Sequence, residues 1–255
     1  MGRLDWYKYG WSLDIKGQSW TEDTVNQVDF IIKSLNLSGN ERILDLACGY
    51  GRHTLELSRR GFSVVGVDIT KAYIEDAIYN AKLESLDVTF IHSDIREIGF
   101  VEEFDVVLNL ADGAIGYLED DIENLKIFDV AIRALKPGGK HLIDICNADH
   151  ARKYFPKKHW EAGKNALSLA QFEWDEVTKR MKYGGWSIPY GIPAEPPQIN
   201  MEEENSTRLY SLSELQEIYE KRGTKIVSSY SDYYGKELTD KELQLLVFSE
   251  KQQEY

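Results

Sequence analysis

Residues 43–57, "ILDLACGYGRHTLEL", decide the fold class, because an apolar run ends there in small residues and two glycines before a helical pattern begins. The run at 43–46 is typical of a short buried strand. The stretch "GRHTLELSRRG" has helical spacing and stops at Gly61. A strand, a glycine turn and a helix in this order predict the first unit of an α/β fold.

The same alternation continues to about residue 147. The strand-like runs "SVVGVD", "DVTFIH", "FDVVLN" and "KHLIDIC" are separated by helical patterns, the last of which extends through Leu135 to Pro137. Aliphatic runs without polar alternation indicate strands covered on both faces. Helices between such strands imply right-handed parallel crossovers. The sequence therefore predicts a doubly wound, seven-stranded, mainly parallel sheet, with an antiparallel strand at its C-terminal end.

The pattern changes after about residue 150. The stretch "LSLAQFEWDEVTKRMKYGGW" alternates like hairpin strands, and a proline-rich stretch, "SIPYGIPAEPPQINMEEEN", follows it. We expect an N-terminal aromatic lid and helix at 1–40, an α/β core at 41–150, an antiparallel β insertion after strand five at 151–209, and a helix with the last two strands at 210–255. The insertion could be a substrate lid or a face for a homodimer.

Composition narrows the classes of partner. The chain has 255 residues, a formal net charge of −13 and two cysteines. Its negative charge opposes association with phosphate backbones and anionic lipid, so we expect neither a nucleic acid nor a membrane as partner. Two cysteines do not make a disulfide framework. The start, "MGRLDWYKYGW", has charges where a signal peptide has an apolar core, so we expect a cytoplasmic location.

Two features after the first two strands predict a nucleoside cofactor. The first strand runs into a turn that contains Gly49 and Gly51, and the second strand ends in Asp68, nineteen residues after Gly49. Glycines let the backbone approach a ligand closely, and the helix that follows offers free N–H groups. In doubly wound sheets ligands bind at this edge, and an acid at this distance can accept hydrogen bonds from a ribose diol.

The spacing of the turn discriminates between cofactors. A dinucleotide fingerprint has a third glycine, where this chain has Thr54, so a pyrophosphate is a poor match. An NAD-dependent oxidoreductase remains an alternative. After the third strand, Asp94 could accept from an adenine amino group, with Ile95 against the ring.

Five segments in order resemble the motifs of class I S-adenosylmethionine (AdoMet) methyltransferases. They are "LDLACGYG", "VVGVDIT", "HSDIREI", "FDVVLNLADGAIGYL" and "ALKPGGKHLIDI". The resemblance implies a Rossmann-like methyltransferase fold, AdoMet as methyl donor and S-adenosylhomocysteine as product. Ala47 departs from the family, in which many members have a further glycine there.

The resemblance also implies the contacts of the cofactor. They fall on the first strand and its turn, on the acids after strands two and three, on the fourth motif and on the N-terminal aromatic segment. The residues are Asp45, Ala47, Cys48, Gly49, Gly51, Arg52, Asp68, Ile69, Asp94, Ile95, Asn109, Leu110, Tyr7 and Trp11. As an alternative, Asp68 and Asp94 only cap the helices that follow them.

The fourth motif bears on the methyl acceptor. Its stretch "NLADGAIGYL" resembles the glycine-rich loop of small-molecule N-methyltransferases that act on glycine or amino sugars, and it lacks the Asn/Asp-Pro-Pro-aromatic signature of enzymes that methylate bases. We expect Asp112 to attract an ammonium group and Tyr117 to contact it. Alternatively, Asp112 is a turn residue and Tyr117 packs in the core.

Three further residues are predicted on the acceptor side. His53 follows the glycine turn and is the best-placed general base, with a structural role as the alternative. Relatives carry an Arg-x-Tyr feature, which makes Arg208 and Tyr210 substrate candidates. Arg208 could instead pair with a glutamate of "MEEEN". We expect no metal, because Asp112, Asp144 and Asn147 have an unconvincing spacing for ligands.

We therefore expect methyl transfer from AdoMet to a small molecule, an amine in preference to a hydroxyl, by in-line displacement that depends on positioning. The alternatives are a small-molecule O-methyltransferase, an NAD-dependent oxidoreductase and a non-catalytic AdoMet-binding protein.

Overall fold

The first part of the chain alternates strands and helices as predicted. The computed structural model describes residues 6–118, 120–193, 201 and 205–253. The strands are β1 (Arg42–Leu46), β2 (Ser63–Asp68), β3 (Val88–His92), β4 (Phe104–Asn109) and β5 (Leu135–Cys146). The helices are α1 (Thr24–Ser34), α2 (Arg52–Arg59), α3 (Lys71–Leu83) and α4 (Asp121–Ala134).

The second part contains an antiparallel sheet and the end of the central sheet. Its elements are α5 (Ala148–Tyr154), β6 (Lys157–Ala162), β7 (Ala166–Asp175), β8 (Arg180–Pro189), β9 (Asn205–Arg208), α6 (Leu212–Glu220), β10 (Thr224–Tyr230) and β11 (Gln244–Lys251). We call β6–β9, which form a sheet in that order, the insertion sheet.

The central sheet has seven strands in the order β10-β11-β5-β4-β1-β2-β3. β1 pairs in parallel with β2 and β4, whereas β11 is antiparallel to both β5 and β10. The predicted α/β fold class, with a mainly parallel sheet and an antiparallel strand at its end, is confirmed.

Both faces of the central sheet are covered. Leu44 of β1 packs in one apolar cluster with Phe128 of α4, and Ile43 packs in another with Ile31 of α1. Successive side chains of a strand point to opposite faces, so helices on the two sides bury alternate residues. This explains why the strands show apolar runs without polar alternation.

Two local predictions differ from the structure. α4 ends at Ala134 and Leu135 already starts β5, three residues earlier than the helical pattern indicated. Pro137 disfavours helical geometry at the residue before it, so the helix stops short of the proline. The alternating stretch predicted as a hairpin is the central pair of the four-stranded insertion sheet.

An N-terminal segment, residues 6–21, contains three short 3-10 helices and precedes α1. The Tyr73 hydroxyl of α3 donates to the Ser12 carbonyl over 3.0 Å, and the Ser168 hydroxyl of β7 donates to Gln18 Oε1 over 3.3 Å. The segment therefore connects α3 with the insertion sheet.

Within the described part of the chain, every helix is too short or too polar to cross a bilayer.

Candidate active site

The turn after β1 has a conformation that its glycines make possible. Ala47, Gly49 and Gly51 have φ angles of 57°, 59° and 79°, in the left-handed region. A Cβ on Gly51 would lie 2.9 Å from the ring of Phe90, so the turn packs against β3 without room for a side chain. A Cβ on Gly49 would meet no atom nearer than 4.0 Å, so this residue faces an open side. The backbone there is accessible to a ligand.

Asp68 joins the end of β2 to this turn. Its Oδ2 accepts from the Gly49 N–H over 2.9 Å and its Oδ1 accepts from the Thr70 N–H over 2.7 Å. Burial raises the pKa of Asp68, and these backbone hydrogen bonds oppose the rise. The carboxylate therefore holds both the glycine turn and the residues that lead into α3. A residue that only capped the helix would bond to the second of these alone. Each oxygen keeps a further acceptor position.

Asp45 lies beneath the turn. Its side chain is 1% exposed and accepts from the Thr54 hydroxyl over 2.6 Å. Burial raises the pKa of Asp45 to about 7, the hydrogen bond from Thr54 opposes the rise, and the charge of Asp68 adds to it. Thr54, which stands where a dinucleotide fingerprint has its third glycine, thus has a structural function: its hydroxyl holds the Asp45 carboxylate.

Asp94, after β3, is engaged by its own neighbour. It accepts from the Arg96 N–H over 2.9 Å and forms an ion pair with the Arg96 guanidinium at 2.5 Å. Burial alone would raise the pKa of Asp94, but the hydrogen bonds from Arg96 outweigh it and hold the pKa below its ordinary value. The capping alternative therefore describes Asp94, and Ile95 is buried in the core beside it. Ile69, after β2, is half-buried.

The segment after β4, residues 111–118, is called here the acceptor loop. Ala111, Asp112, Gly113 and Ala114 have φ angles of 51°, 69°, 52° and 63°, which non-glycine residues rarely adopt. The Asp112 N–H donates to the Asp144 carbonyl over 2.8 Å, and the Asn109 amide donates to the Gly113 carbonyl over 2.8 Å. Contacts with β4 and β5 thus hold the loop in a strained conformation.

Asp112 is half-buried at the end of β4. Burial raises its pKa to about 6, and the neighbouring Asp144 carboxylate adds to this shift. The Tyr117 hydroxyl lies 3.5 Å from Asp112 Oδ2. Asp144 in turn accepts from the Tyr233 hydroxyl over 2.8 Å and from the Gln244 amide over 3.0 Å. The two carboxylates are therefore near enough for the charge of one to disfavour ionisation of the other, and the charge of Arg52 partly offsets this at Asp144.

Aromatic residues of the N-terminal segment lie against Tyr117. The ring centroids of Trp6 and Trp11 are 4.9 Å and 6.1 Å from that of Tyr117. Tyr7 is buried in the same apolar cluster as Ile95, and the Trp6 indole N–H is buried with no hydrogen-bond partner among the described residues. The predicted aromatic residues Tyr7 and Trp11 thus lie at the carboxyl edge, and Trp6 joins them.

Several predicted residues turn away from this edge. The Arg52 guanidinium donates to Thr24 Oγ1 over 2.9 Å and to Gln27 Oε1 over 2.6 Å, towards α1. His53 is 4% exposed with its Nε2 2.8 Å from the same Gln27 oxygen, and burial lowers its pKa well below the ordinary value. The predicted general-base role of His53 is not supported. Cys48 is buried, and burial raises the pKa of its thiol.

The side chain of Asn109 is committed to the protein. It is fully buried, donates to the acceptor loop and lies 2.9 Å from His141 Nε2 through its Oδ1. Leu110 is buried in the cluster on the α1 side of the sheet. The Asn109 side chain thus supports the shape of the loop, and cofactor contacts of Asn109 and Leu110 stay predictions.

The two predicted substrate contacts at the end of β9 are also internal. Arg208 donates to Glu214 Oε1 over 2.7 Å, and its guanidinium lies 4.5 Å from the centroid of Tyr210. The glutamates of "MEEEN" lie outside the described residues. Tyr210 is 3% exposed and packs on Phe128, and within the described part of the chain its buried hydroxyl has no hydrogen-bond partner. The side chains of this pair are thus engaged within the protein, although the Arg208 N–H donates to the Gly116 carbonyl of the acceptor loop over 2.8 Å.

Sequence patterns missed three contributors to this edge, which are Trp6, Tyr233 and Arg180. Trp6 belongs to a segment that was already marked by its aromatic residues. Tyr233 and Arg180 have no local signal, because the loop between β10 and β11 and the start of β8 reach the edge only in the folded chain.

The chemistry of the edge determines which ligand fits. Asp45, Asp68, Asp112 and Asp144 are acceptors whose pKa values are all raised, so the edge favours a ligand with hydroxyl or N–H donors and a positive charge. AdoMet has a ribose diol, an ammonium and a sulfonium, and fits. A diphosphate does not. Among the described residues no group of three or more His, Cys, Asp or Glu side chains converges as metal ligands do.

Two surface clefts lie away from these residues. One of about 360 Å³ is lined by Leu212 of α6 and Thr224 of β10, and one of about 280 Å³ is lined by the first residues of β1 and β2. Neither cleft includes the glycine turn or the acids at the strand ends. The candidate site at the carboxyl edge is therefore assigned from its side chains and not from either cleft.

A seven-stranded sheet of this order, with a glycine turn and an acid at the first two strand ends, defines the class of AdoMet-dependent methyltransferase folds. The chain belongs to the methyltransferase-domain family, whose profile matches residues 37–185. The solved structure of the CcbJ methyltransferase from Streptomyces caelestis superposes with a TM-score of 0.73 at 17% identity, over 89% of this chain and 94% of that one. This likeness shows the fold.

Curated relatives match over part of their length. YqeM of Bacillus subtilis, named as a methyltransferase, is 34% identical over 116 residues, which are 45% of this chain and 46% of that protein. A glycine/sarcosine N-methyltransferase of Aphanothece halophytica is 29% identical over 170 residues, 65% of this chain and 63% of that protein. The chain thus spans less than two thirds of these relatives. Others are named as rRNA, ubiquinone-biosynthesis O- and sterol C-methyltransferases.

Proposed function

We propose that the protein transfers a methyl group from AdoMet to a small-molecule acceptor, an amine in preference to a hydroxyl. The observation that carries the proposal is the half-buried Asp112 carboxyl, held at the end of β4 beside Tyr117. A carboxylate next to electron-rich rings attracts an ammonium group through both charge and cation–π contact. The relative named as a glycine/sarcosine N-methyltransferase is consistent with this acceptor class.

In the proposed complex the glycine turn and Asp68 hold the nucleoside. AdoMet, when bound, supplies a methyl group that is already activated by its sulfonium. The free acceptor positions of Asp68 suit the ribose hydroxyls, and the open side of Gly49 lets the backbone approach. The acid cluster favours the positive charge of the cofactor.

The remaining task of the protein is alignment. Holding two reactants in line can contribute roughly 7–11 kcal/mol to a barrier reduction. The ammonium group of the acceptor must lose a proton before its nitrogen lone pair can attack the methyl group. The Asp112 carboxylate or water can accept that proton, so the proposal does not require His53, which points inward. The strained acceptor loop fixes Asp112 for this alignment.

Two features favour a small acceptor over a nucleic acid: the negative net charge of the protein and the N-terminal segment that can cover the acceptor. The net charge of −13 opposes a polyanion, although some relatives are named as rRNA methyltransferases. The N-terminal segment contacts both α3 and the insertion sheet, as a cover over an enclosed acceptor would. We extend the proposal to the division of the chain into a lid at 1–40, a binding core at 41–150, an insertion at 151–209 and a closing segment at 210–255, and to a cytoplasmic location.

The proposal is tested by transfer of labelled methyl from AdoMet to a panel of amines and hydroxyl compounds. We expect turnover of an amine, and a loss of about 10- to 100-fold in kcat/KM in Asp112→Asn, because the variant lacks the charge that attracts the ammonium. In the wild type kcat/KM should rise with pH through about 6, since Asp112 ionises there. Asp129→Asn, an exposed acid of α4, is the control and should change little.

Methylation of hydroxyl compounds alone would replace the amine by the alternative acceptor, for which a carboxyl with a pKa of about 6 could serve as base. Equal kcat/KM in Asp112→Asn and wild type would remove Asp112 from the site. Binding of NADH would favour an oxidoreductase, and AdoMet binding without any turnover a non-catalytic protein.

A further inference from the structure

Arg180, the first residue of β8, reaches from the insertion sheet into the acceptor loop. Its Nη1 donates to the Leu118 carbonyl over 3.0 Å and its Nη2 donates to the Gly116 carbonyl over 3.3 Å. These two carbonyls belong to the residues on either side of Tyr117. One guanidinium thus holds the backbone before and after the tyrosine.

The guanidinium is itself fixed. Arg180 is 8% exposed, its Nε donates to the Ser206 hydroxyl over 2.9 Å, and its Nη2 also donates to the Ser206 carbonyl over 3.0 Å. Ser206 lies on β9, the neighbouring strand of the insertion sheet. The side chain therefore transmits the position of two strands to the loop.

The loop and the insertion sheet are in contact at the backbone as well. The Arg208 N–H donates to the Gly116 carbonyl over 2.8 Å, and a Cβ on Gly116 would lie 2.0 Å from the Arg208 carbonyl oxygen. On the other side, the Asn124 amide of α4 donates to the Leu118 carbonyl over 2.9 Å. Tyr117 is thus held between α4 and the insertion sheet.

We propose that Arg180 is a positioning residue that sets Tyr117 beside Asp112, so that the insertion sheet determines the geometry of the acceptor pocket. The inference rests on the proposed function, in which Tyr117 and Asp112 contact the acceptor. A planar guanidinium has five donors in a fixed arrangement and spans two carbonyls, whereas the single ammonium of lysine cannot reproduce that arrangement together with the bonds to Ser206.

The test compares Arg180→Met and Arg180→Lys with Arg133→Met, a control at a second arginine that donates to two backbone carbonyls. Arg133, exposed in the last turn of α4, also donates to two carbonyls with one residue between them, those of Ile98 over 2.7 Å and Phe100 over 3.4 Å. Neither carbonyl belongs to the acceptor loop. We expect kcat/KM for the amine to fall about 10- to 100-fold in Arg180→Met, because small misplacements of this kind have such effects. The Kd for AdoMet should stay within twofold. Arg180→Lys should be intermediate, and Arg133→Met close to wild type.

A second readout does not depend on the acceptor. With 3-fluorotyrosine placed at position 117, the ¹⁹F resonance should shift or broaden in both Arg180 variants but not in Arg133→Met. An unchanged resonance and unchanged kcat/KM in the Arg180 variants would overturn the proposal. A fluorine shift in a protein that methylates nothing would leave the positioning role intact and contradict the proposed function instead. If Arg180→Met does not fold, Arg180→Lys carries both measurements.

Discussion

At the scale of the residue, the acids at the strand ends destabilise the folded protein at neutral pH when no ligand compensates them. The pKa of Asp45 is raised to about 7 and that of Asp112 to about 6, because burial disfavours the charged carboxylate. An aspartate in the unfolded chain has a pKa of about 4. A raised pKa in the folded state means that its stabilising contribution is present below about pH 4 and is lost as pH rises to the folded value. Raised pKa values of this kind cluster at functional sites.

Asp45→Asn should therefore stabilise the protein without ligand. Above pH 7 the gain is at most about 4 kcal/mol, from three pKa units at 1.36 kcal/mol each, and it should shrink as pH falls from 7 to 4. Urea unfolding across this pH range measures it. Asp105→Asn is the control, and it should lower the free energy of unfolding at neutral pH. The hydrogen bonds and charge of Lys136 outweigh the desolvation of Asp105 and lower its pKa. Parallel stability curves for Asp45→Asn and wild type would contradict a raised pKa at Asp45.

At the scale of the element, two loops carry the site, and both depend on left-handed backbone. The sequence predicted the glycine turn well, since glycines after a buried strand have a local physical meaning. It identified the acceptor loop as a glycine-rich loop but did not predict its backbone conformation, because Ala111, Asp112 and Ala114 adopt positive φ against their own preference. Hydrogen bonds from Asn109 and to Asp144 impose that conformation. The inward orientation of His53 was not predictable for the same reason, because it depends on a contact with Gln27, 26 positions away.

Gly113→Ala tests the tight packing of the acceptor loop. The new Cβ would lie 2.5 Å from that of Asn109, at a φ of +52°, so we expect a loss of about 1–3 kcal/mol in unfolding free energy and of activity on the acceptor. Urea unfolding and the methyl-transfer assay measure the two effects. Gly99→Ala is the control, because a Cβ there would meet no atom within 4 Å. Similar stability of the two variants would show that the loop adapts easily.

At the scale of the whole molecule, the two edges of the central sheet differ in charge compensation. At the amino end of β4, Asp105 accepts from the Arg42 N–H over 2.9 Å and pairs with Lys136 at 2.8 Å. At the carboxyl ends of β1 and β5, Asp45 and Asp144 accept from Thr54, Tyr233 and Gln244, and no described Lys or Arg is in hydrogen-bond contact with either carboxylate. The contrast with Asp105 applies to these two buried acids and not to Asp94, which pairs with Arg96 at the same carboxyl edge.

The alternation of strands and helices, and hence the sheet, follows from local patterns that each segment carries. The roles of the individual residues at the carboxyl edge do not follow from local patterns, because they depend on which residues distant in sequence meet there. Arg180 and Leu118 are 62 positions apart, and Tyr233 and Asp144 are 89 apart. The cofactor side, which rests on short-range motifs, was therefore more accessible to prediction than the acceptor side.

The central claim is that the carboxyl edge holds the nucleoside of AdoMet through Asp68. Calorimetric titration of AdoMet into wild type, Asp68→Ala and Asp105→Ala tests it most directly, since Asp105 also accepts a backbone N–H but lies at the opposite edge. We expect Asp68→Ala to lose about 1.5–3 kcal/mol of binding free energy, the range for a hydrogen bond to a charged group. Asp105→Ala should bind as wild type does. Equal affinity of wild type and Asp68→Ala for AdoMet would contradict the account.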